Sequence, residues 1–258
     1  MKHTSDMCSC GIYDHDTGTR KVRISELHDF EGHPFKVEHD IELFELVRSI
    51  EEKGILVPLL VRPNPKGSGY EIIAGHRRKA ASEWAGIDSV PVMVVPMNDE
   101  DAIIAMVDSN LQREHIKPSE KAFAYKMKLD AMKQQGKKLP DTLSQVGTKL
   151  NKQVNEDGKA VLRSDEILES RNQIARYIRL TNLIPKILDM VDEGKIAFTI
   201  AVELSYLKEE EQYELHAVMD LEQCTPSLSQ ANRMKRMSQS GMFDMDAIYS
   251  VLEEEKPN

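Results

Sequence analysis

The feature that most constrains the fold is a change of hydrophobic period near residue 115. Before it, the apolar runs ILVPLLVRP, YEIIAG and SVPVMVVP, of strand type, alternate with segments of helical spacing. After His115 no strand-type run follows, and apolar residues recur only at helical intervals. A sheet buries alternate residues and a helix buries a stripe, so such a chain has to build two different cores. The expected fold class is α+β: a mixed domain over residues 21–115, then an all-helical domain over 116–240. Residues 1–20 are polar and aperiodic and read as a mobile arm, and residues 241–258 as a short helix with an acidic tail.

Local signals set the elements. Asp40 is a natural N-cap for IELFELVRSIEEKG, in which Ile41, Phe44, Leu46, Val47 and Ile50 recur near helical spacing and Gly54 supplies the stop. KVRISEL reads as a short strand or turn, and HDFEGHPFKVEHD as loop. Asn98 caps a helix with acidic residues in its first turn, and Pro118 suits the first position of the next helix, which Gly136 ends. Further helices are expected on both sides of Gly194–Lys195 and in LKEEEQYELHAVMD, SLSQANRMKRMSQSG and FDMDAIYSVLEEE.

The formal net charge is -9, which by itself speaks against a polyanionic partner. Its distribution does not. Residues 113–181 hold 15 Lys and Arg against 9 Asp and Glu, whereas 1–112 hold 12 against 19 and 182–258 hold 7 against 15. A local basic region is what attracts nucleic acid. No apolar run approaches the roughly 20 residues of a membrane span, and the N-terminus lacks the apolar core of a signal peptide. The three cysteines fit reduced thiols in a reducing compartment, so a cytoplasmic protein is expected.

Three stretches carry candidate chemistry. Gly75 sits between a strand and a helix, where it permits a tight turn and close approach of backbone N–H groups. His76, Arg77 and Arg78 follow it, and a helix N-terminus with forked donors is suited to phosphate. The plain alternative is a solvated helix start. The second stretch, Asp108 to Glu114, gathers polar, amide and guanidinium groups at a helix C-terminus; a helix cap and exit would read the same way. In the third, Ser170 can cap a helix exposing Arg171, Asn172, Gln173, Arg176 and Arg179, with Ile174, Ile178 and Leu180 inward. Asn and Gln read adenine edges and Arg reads guanine or holds phosphate, while Tyr177 could touch phosphate or fill the core. An ordinary amphipathic helix has the same pattern. Cys8 and Cys10 lack a second ligand pair, and Glu209–Glu210–Glu211 reads as a solvated face.

In order and spacing, VPLLVRP, YEIIAGHRRKAA, VPVMVV and SNLQREHIKPSEKAFAY resemble the N-terminal domain of the ParB family of DNA-partition proteins. The likeness continues through SRNQIARYIRLTNLIPKILDMVDEGKIAFTIAVELSYL, which looks like that family's helix-turn-helix domain, and covers about Val22 to Leu207. A plasmid or mobile-element branch is the subgroup expected. The resemblance implies a ParB/sulfiredoxin-like fold and a pocket for CTP with Mg²⁺. Gly75, His76, Arg77 and Arg78 would lie on the phosphates, and Asn110, Gln112 and Arg113 beside them, with Asn110 the metal-side residue. It also implies a specific duplex DNA site read by Ser170, Arg171, Asn172, Gln173, Arg176, Tyr177 and Arg179. A homodimer and a Walker-type partition ATPase are the implied protein partners.

The sequence departs from that pattern in places. His76 stands where the family usually has Glu, Ser109 where it has an acidic residue, and Val57 where a Gln is often found. Mg²⁺ prefers carboxylate and phosphate oxygens, so binding of nucleotide is implied more strongly than its hydrolysis. The helix ahead of the recognition segment, RSDEILE, is short, and DTLSQVGTKL is the alternative support. Two other classes compete: a phosphotransferase or nuclease of the same fold using His76 in acid–base steps, and a transcription regulator that ignores nucleotides.

Overall fold

In the computed structural model, residues 19–113, 115–136 and 170–253 are described, and they fall into two compact units that divide between Arg113 and Glu114. Expectations for Cys8, Cys10, RSDEILE, DTLSQVGTKL and the acidic tail lie outside the described residues.

The first unit is a five-stranded mixed sheet with helices. Its strands are β1 (Thr19–Arg23), β2 (Leu27–Asp29), β3 (Leu59–Pro63), β4 (Tyr70–Ala74) and β5 (Ser89–Val94), in the order β1-β5-β3-β4-β2. β3 and β4 form an antiparallel hairpin, β5 runs parallel to β3, β2 parallel to β4, and β1 antiparallel to β5. KVRISEL therefore supplies two edge strands joined by a 3-10 turn, where the sequence suggested one short element. Leu59, Val61, Ile72, Val90 and Val92 are fully buried at the centre of the sheet.

Three helices complete this unit: α1 (Ile41–Lys53), α2 (His76–Trp84) and α3 (Asp99–Leu111). The expected caps form. Asp40 accepts from Leu43 N–H at 2.7 Å, and Asn98 from Asp101 N–H at 2.7 Å. α1 buries Leu43, Val47 and Ile50 against Ala81 of α2. The face differs from the expected one, because Ile41 and Phe44 lie exposed. Leu43, four residues before Val47, belongs to the same stripe as Val47 and Ile50, whereas Ile41 and Phe44 fall to one side of it. Across the hairpin, buried Arg62 pairs with buried Glu71, Nε to Oε2 at 2.6 Å, and reaches Asp99 at 2.7 Å.

The second unit is helical: α4 (Pro118–Gln134), α5 (Arg171–Arg179), α6 (Pro185–Asp192), α7 (Phe198–Leu204), α8 (Glu209–Leu221), α9 (Leu228–Ser240) and α10 (Met245–Glu253). Its core gathers Ala122, Leu180, Ile187, Ile196, Leu204, Leu215, Met234 and Ile248. Buried polar side chains tie the loops to it. Gln212 accepts from Ile184 N–H at 2.8 Å and donates to the Asn182 and Leu207 carbonyls, each at 3.0 Å. Glu211 belongs to this set and not to a solvated face: Ser238 Oγ donates to it at 2.6 Å and Lys208 N–H at 2.8 Å. No described helix is long and apolar enough to cross a membrane.

Candidate functional site

The first candidate site forms where β4 turns into α2. Gly75 has φ 114° and ψ 20°, a conformation that L side chains rarely adopt. A Cβ there would stand 2.8 Å from Leu59 Cγ and 3.2 Å from an Arg78 nitrogen, so the turn admits only glycine. The first turn of α2 holds no acidic residue and no side chain caps it, which leaves the positive end of the helix without local compensation.

The two arginines already have partners. Arg77 donates to both Asp40 carboxylate oxygens, at 2.8 and 3.0 Å, and approaches Glu42 at 3.4 Å. That ion pair, with the Leu43 N–H, holds Asp40 at about 2, below its ordinary value. Arg78 donates to the Val57 and Pro58 carbonyls at 2.6 and 2.7 Å, and burial pushes its pKa down. Arg77 thus links α2 to the N-cap of α1, and Arg78 fixes the loop before β3.

His76 points inward and is 5% exposed. Its ring lies 4.0 Å from that of His33, centroid to centroid. Burial first, then the neighbouring His33, lowers its pKa to about 3, against the raising effect of Asp29. His33 is lowered too, mainly by burial. A ring held neutral this firmly is ill matched to acid–base work near pH 7.

From the other segment, Arg113 follows the C-terminus of α3 and stands 5.7 Å from the Phe35 ring centroid; its charge bears on both His33 and His76. The structure thus brings His76 and Arg113 to one place, with His33 and Phe35 between them. Asn110 is buried and donates to the Met106 carbonyl at 2.8 Å, Ser109 Oγ donates to the same oxygen at 2.9 Å, and Gln112 is exposed. The Asn110 amide nitrogen and the Ser109 hydroxyl proton are both turned onto the helix backbone, and Oδ1 is the atom through which Asn110 would ligate Mg²⁺. Among the described residues no three or more His, Cys, Asp or Glu side chains gather as a metal site. Sequence reasoning missed His33, Phe35 and Asp29, which lie in an aperiodic stretch whose only signal was its histidine and aromatic content.

The second candidate site is α5. Ser170 Oγ accepts from Gln173 N–H at 3.3 Å. Arg171 and Asn172 are exposed and Gln173 half-buried, whereas Ile174 enters the core. Arg176 stands 5.2 Å from the Phe198 ring. Tyr177 is inside, its ring 4.6 Å from Phe198 and 5.8 Å from Tyr125. Arg179 turns back on α7, donating to the Ser205 carbonyl at 2.6 Å and covering the Tyr206 ring at 3.9 Å. The outward face therefore consists of Arg171, Asn172, Gln173 and part of Arg176, and Tyr177 and Arg179 hold the helix in its unit.

The chain thus carries a mixed sheet-and-helix unit built around a strand-to-helix turn that admits only glycine, followed by a helical unit with a Ser170-capped basic helix. Residues 13–111 match the ParB N-terminal domain, and the chain belongs to the ParB family. It is 34% identical over 183 residues, 70% of its length, to the probable chromosome 1-partitioning protein ParB of Deinococcus radiodurans, of which it covers 54%. The chain spans about half the length of such curated relatives. A C-terminally truncated ParB of Caulobacter crescentus solved with CTP-γ-S is 27% identical, with 73% of this chain and 92% of that one covered and a TM-score of 0.36. The same protein solved with the centromeric parS site is 22% identical, with 84% and 98% covered and a TM-score of 0.49.

Proposed function

We propose that this chain is a nucleotide-responsive, sequence-specific DNA-binding protein of a DNA-partition system. The first unit takes a cytidine-type triphosphate and the second binds duplex DNA through α5. The observation that carries the nucleotide half is the convergence of His76 and Arg113 beside a Gly75 turn that excludes any side chain. Phosphate would enter over the start of α2, met by backbone N–H groups and by Arg113, and Arg77 would have to exchange Asp40 for phosphate to join it. The family resemblance supports CTP, and the Arg171–Gln173 face of α5 supports DNA. Nucleotide and DNA would bias one shared conformational equilibrium, so each tightens or weakens the other by the same factor. Binding, and not turnover, is the activity proposed. A second copy of the chain and a Walker-type ATPase are the protein partners proposed, in the cytoplasm on nucleoid or plasmid.

Calorimetry with CTP, GTP and ATP, with and without DNA fragments, tests this reading. CTP binding that shifts with DNA is expected, weakened at least tenfold in R113A. Equal affinity of parent and R113A, or a DNA footprint indifferent to every nucleotide, would sink it and favour the nucleotide-blind regulator.

A further inference from the structure

Three ring nitrogens on the covered side of α2 are buried with no hydrogen-bond partner: His76 Nδ1, His76 Nε2 and His33 Nε2. Buried polar atoms are nearly always paired, so three orphans in two touching rings need a reason. His33 Nδ1 lies 2.7 Å from the Phe35 carbonyl oxygen. A carbonyl can only accept, so Nδ1 carries the proton, and neutral His33 presents a bare lone pair at Nε2. His76 has one N–H and one lone pair in either tautomer, and neither meets His33 as a hydrogen bond although the rings are 4.0 Å apart.

The charges facing the pair come from three elements. Arg113 faces it from the end of α3, Lys79 from α2 itself and Asp29 from the end of β2. Lys79 donates to Asp29 at 3.1 Å, so the one carboxylate among these groups is already engaged. The two cations, Arg113 and Lys79, disfavour a metal ion here and suit an anion. To donate to an anion through Nε2, however, His33 has to gain a proton, because its Nδ1–H is committed to Phe35.

We propose that His33 and His76 form a proton-loaded phosphate subsite of the nucleotide pocket. As a phosphate oxygen arrives, His33 takes one proton from solvent at Nε2, and both rings donate N–H to the phosphate chain. This rests on the nucleotide reading given above. The phosphate charge offsets the burial cost that keeps the rings neutral in its absence. His33 and Phe35, whose rings lie against this site, belong to residues 30–40, which form a loop, so entry displaces loop side chains and leaves the sheet and helices in place.

The test is calorimetry of the full chain with CTP, at pH 6 to 8, in buffers of different ionisation enthalpy. Uptake of about one proton and a Kd that rises toward roughly tenfold per pH unit are expected. His33→Gln weakens binding at pH 6 and abolishes the proton uptake, whereas His76→Gln weakens binding and keeps the uptake. Ring ¹⁵N shifts of the parent move to imidazolium values on adding CTP, a readout that needs no variant to fold. CTP binding that takes up no proton overturns this inference and leaves the nucleotide reading standing. No CTP binding at any pH overturns both.

Discussion

Arg77 and Asp40 are joined by two guanidinium–carboxylate hydrogen bonds of 2.8 and 3.0 Å, so the first turn of α2 grips the residue that caps α1. Asp40 thereby has two roles, cap and counter-ion, and Asn can keep only the first. Asp40→Ala lowers the melting temperature of the first unit more than Asp40→Asn does, as read by circular dichroism. Both variants release Arg77, so Asp40→Asn tightens CTP several-fold in calorimetry if Arg77 is a phosphate ligand in waiting. The depressed pKa gives the pH sign. Asp40 stabilises the fold above its unfolded value of 3.8, and that contribution is lost as pH falls toward about 2.

Gly75→Ala tests the turn. With φ at 114° and a new Cβ 2.8 Å from Leu59 Cγ, the substitution adds backbone strain to overpacking. Each costs about 1–3 kcal/mol. Urea unfolding should show a lowered midpoint with an unchanged slope, and CTP binding should weaken further than the loss of stability explains. An unchanged midpoint would mean the turn relaxes freely.

The Arg62–Glu71 pair crosses the hairpin with both side chains under a tenth exposed. Removing one partner strands a buried charge, so Glu71→Leu destabilises by about 3 kcal/mol, softened by the remaining contact of Arg62 with Asp99. The double variant Arg62→Met/Glu71→Leu recovers most of that loss. A double-mutant cycle in urea checks the sign of the coupling.

The legible parts of this molecule were those whose cause is local. Asp40, Asn98, Pro118 and Ser170 announce helix starts through chemistry within three residues, and the structure has helices beginning just after each of the first two and the last, and at Pro118 itself. Gly75 was legible for the same reason. What stayed hidden depends on distance along the chain. Nothing near Arg77 in sequence says that a carboxylate 37 residues earlier will hold it. Nothing near His76 says that His33 will lie against it. Arg179 looked like a surface residue of a basic helix, and Tyr177 could be read as phosphate contact or core, because their partners, Ser205 and Phe198, belong to α7. Ile41 and Phe44 looked inward because an apolar residue was assumed to be a buried one.

His76 gives the second pH dependence. Its folded pKa of about 3 lies below the ordinary 6.5, so the unfolded chain binds the extra proton first. Stability is full above pH 6.5 and falls as pH drops from there toward 3, at no more than about 1.4 kcal/mol per pH unit. His33, lowered in the same direction, adds to the slope. His76→Gln flattens the decline between pH 6 and 4 in denaturant melts. A variant with the parent's slope would mean that the buried imidazole is not what titrates.

The face of α5 separates exposed side chains from anchors. Arg171 and Asn172 are exposed at its first turn, whereas Arg179 is fastened to Ser205 and Tyr206. Arg171→Ala and Asn172→Ala should therefore leave the melting curve of the second unit unchanged. Each weakens specific DNA by about 1–3 kcal/mol, roughly 5- to 150-fold, in fluorescence anisotropy. Arg179→Ala does the reverse, lowering the melting temperature first and affecting DNA in proportion to the unfolded fraction. The salt dependence divides the two exposed residues. Loss of a phosphate contact reduces the slope of log K against log salt by nearly one, as expected if Arg171 holds backbone, while Asn172→Ala leaves that slope alone and relaxes preference at a single base pair. Unchanged affinity in both variants would move the DNA face away from α5.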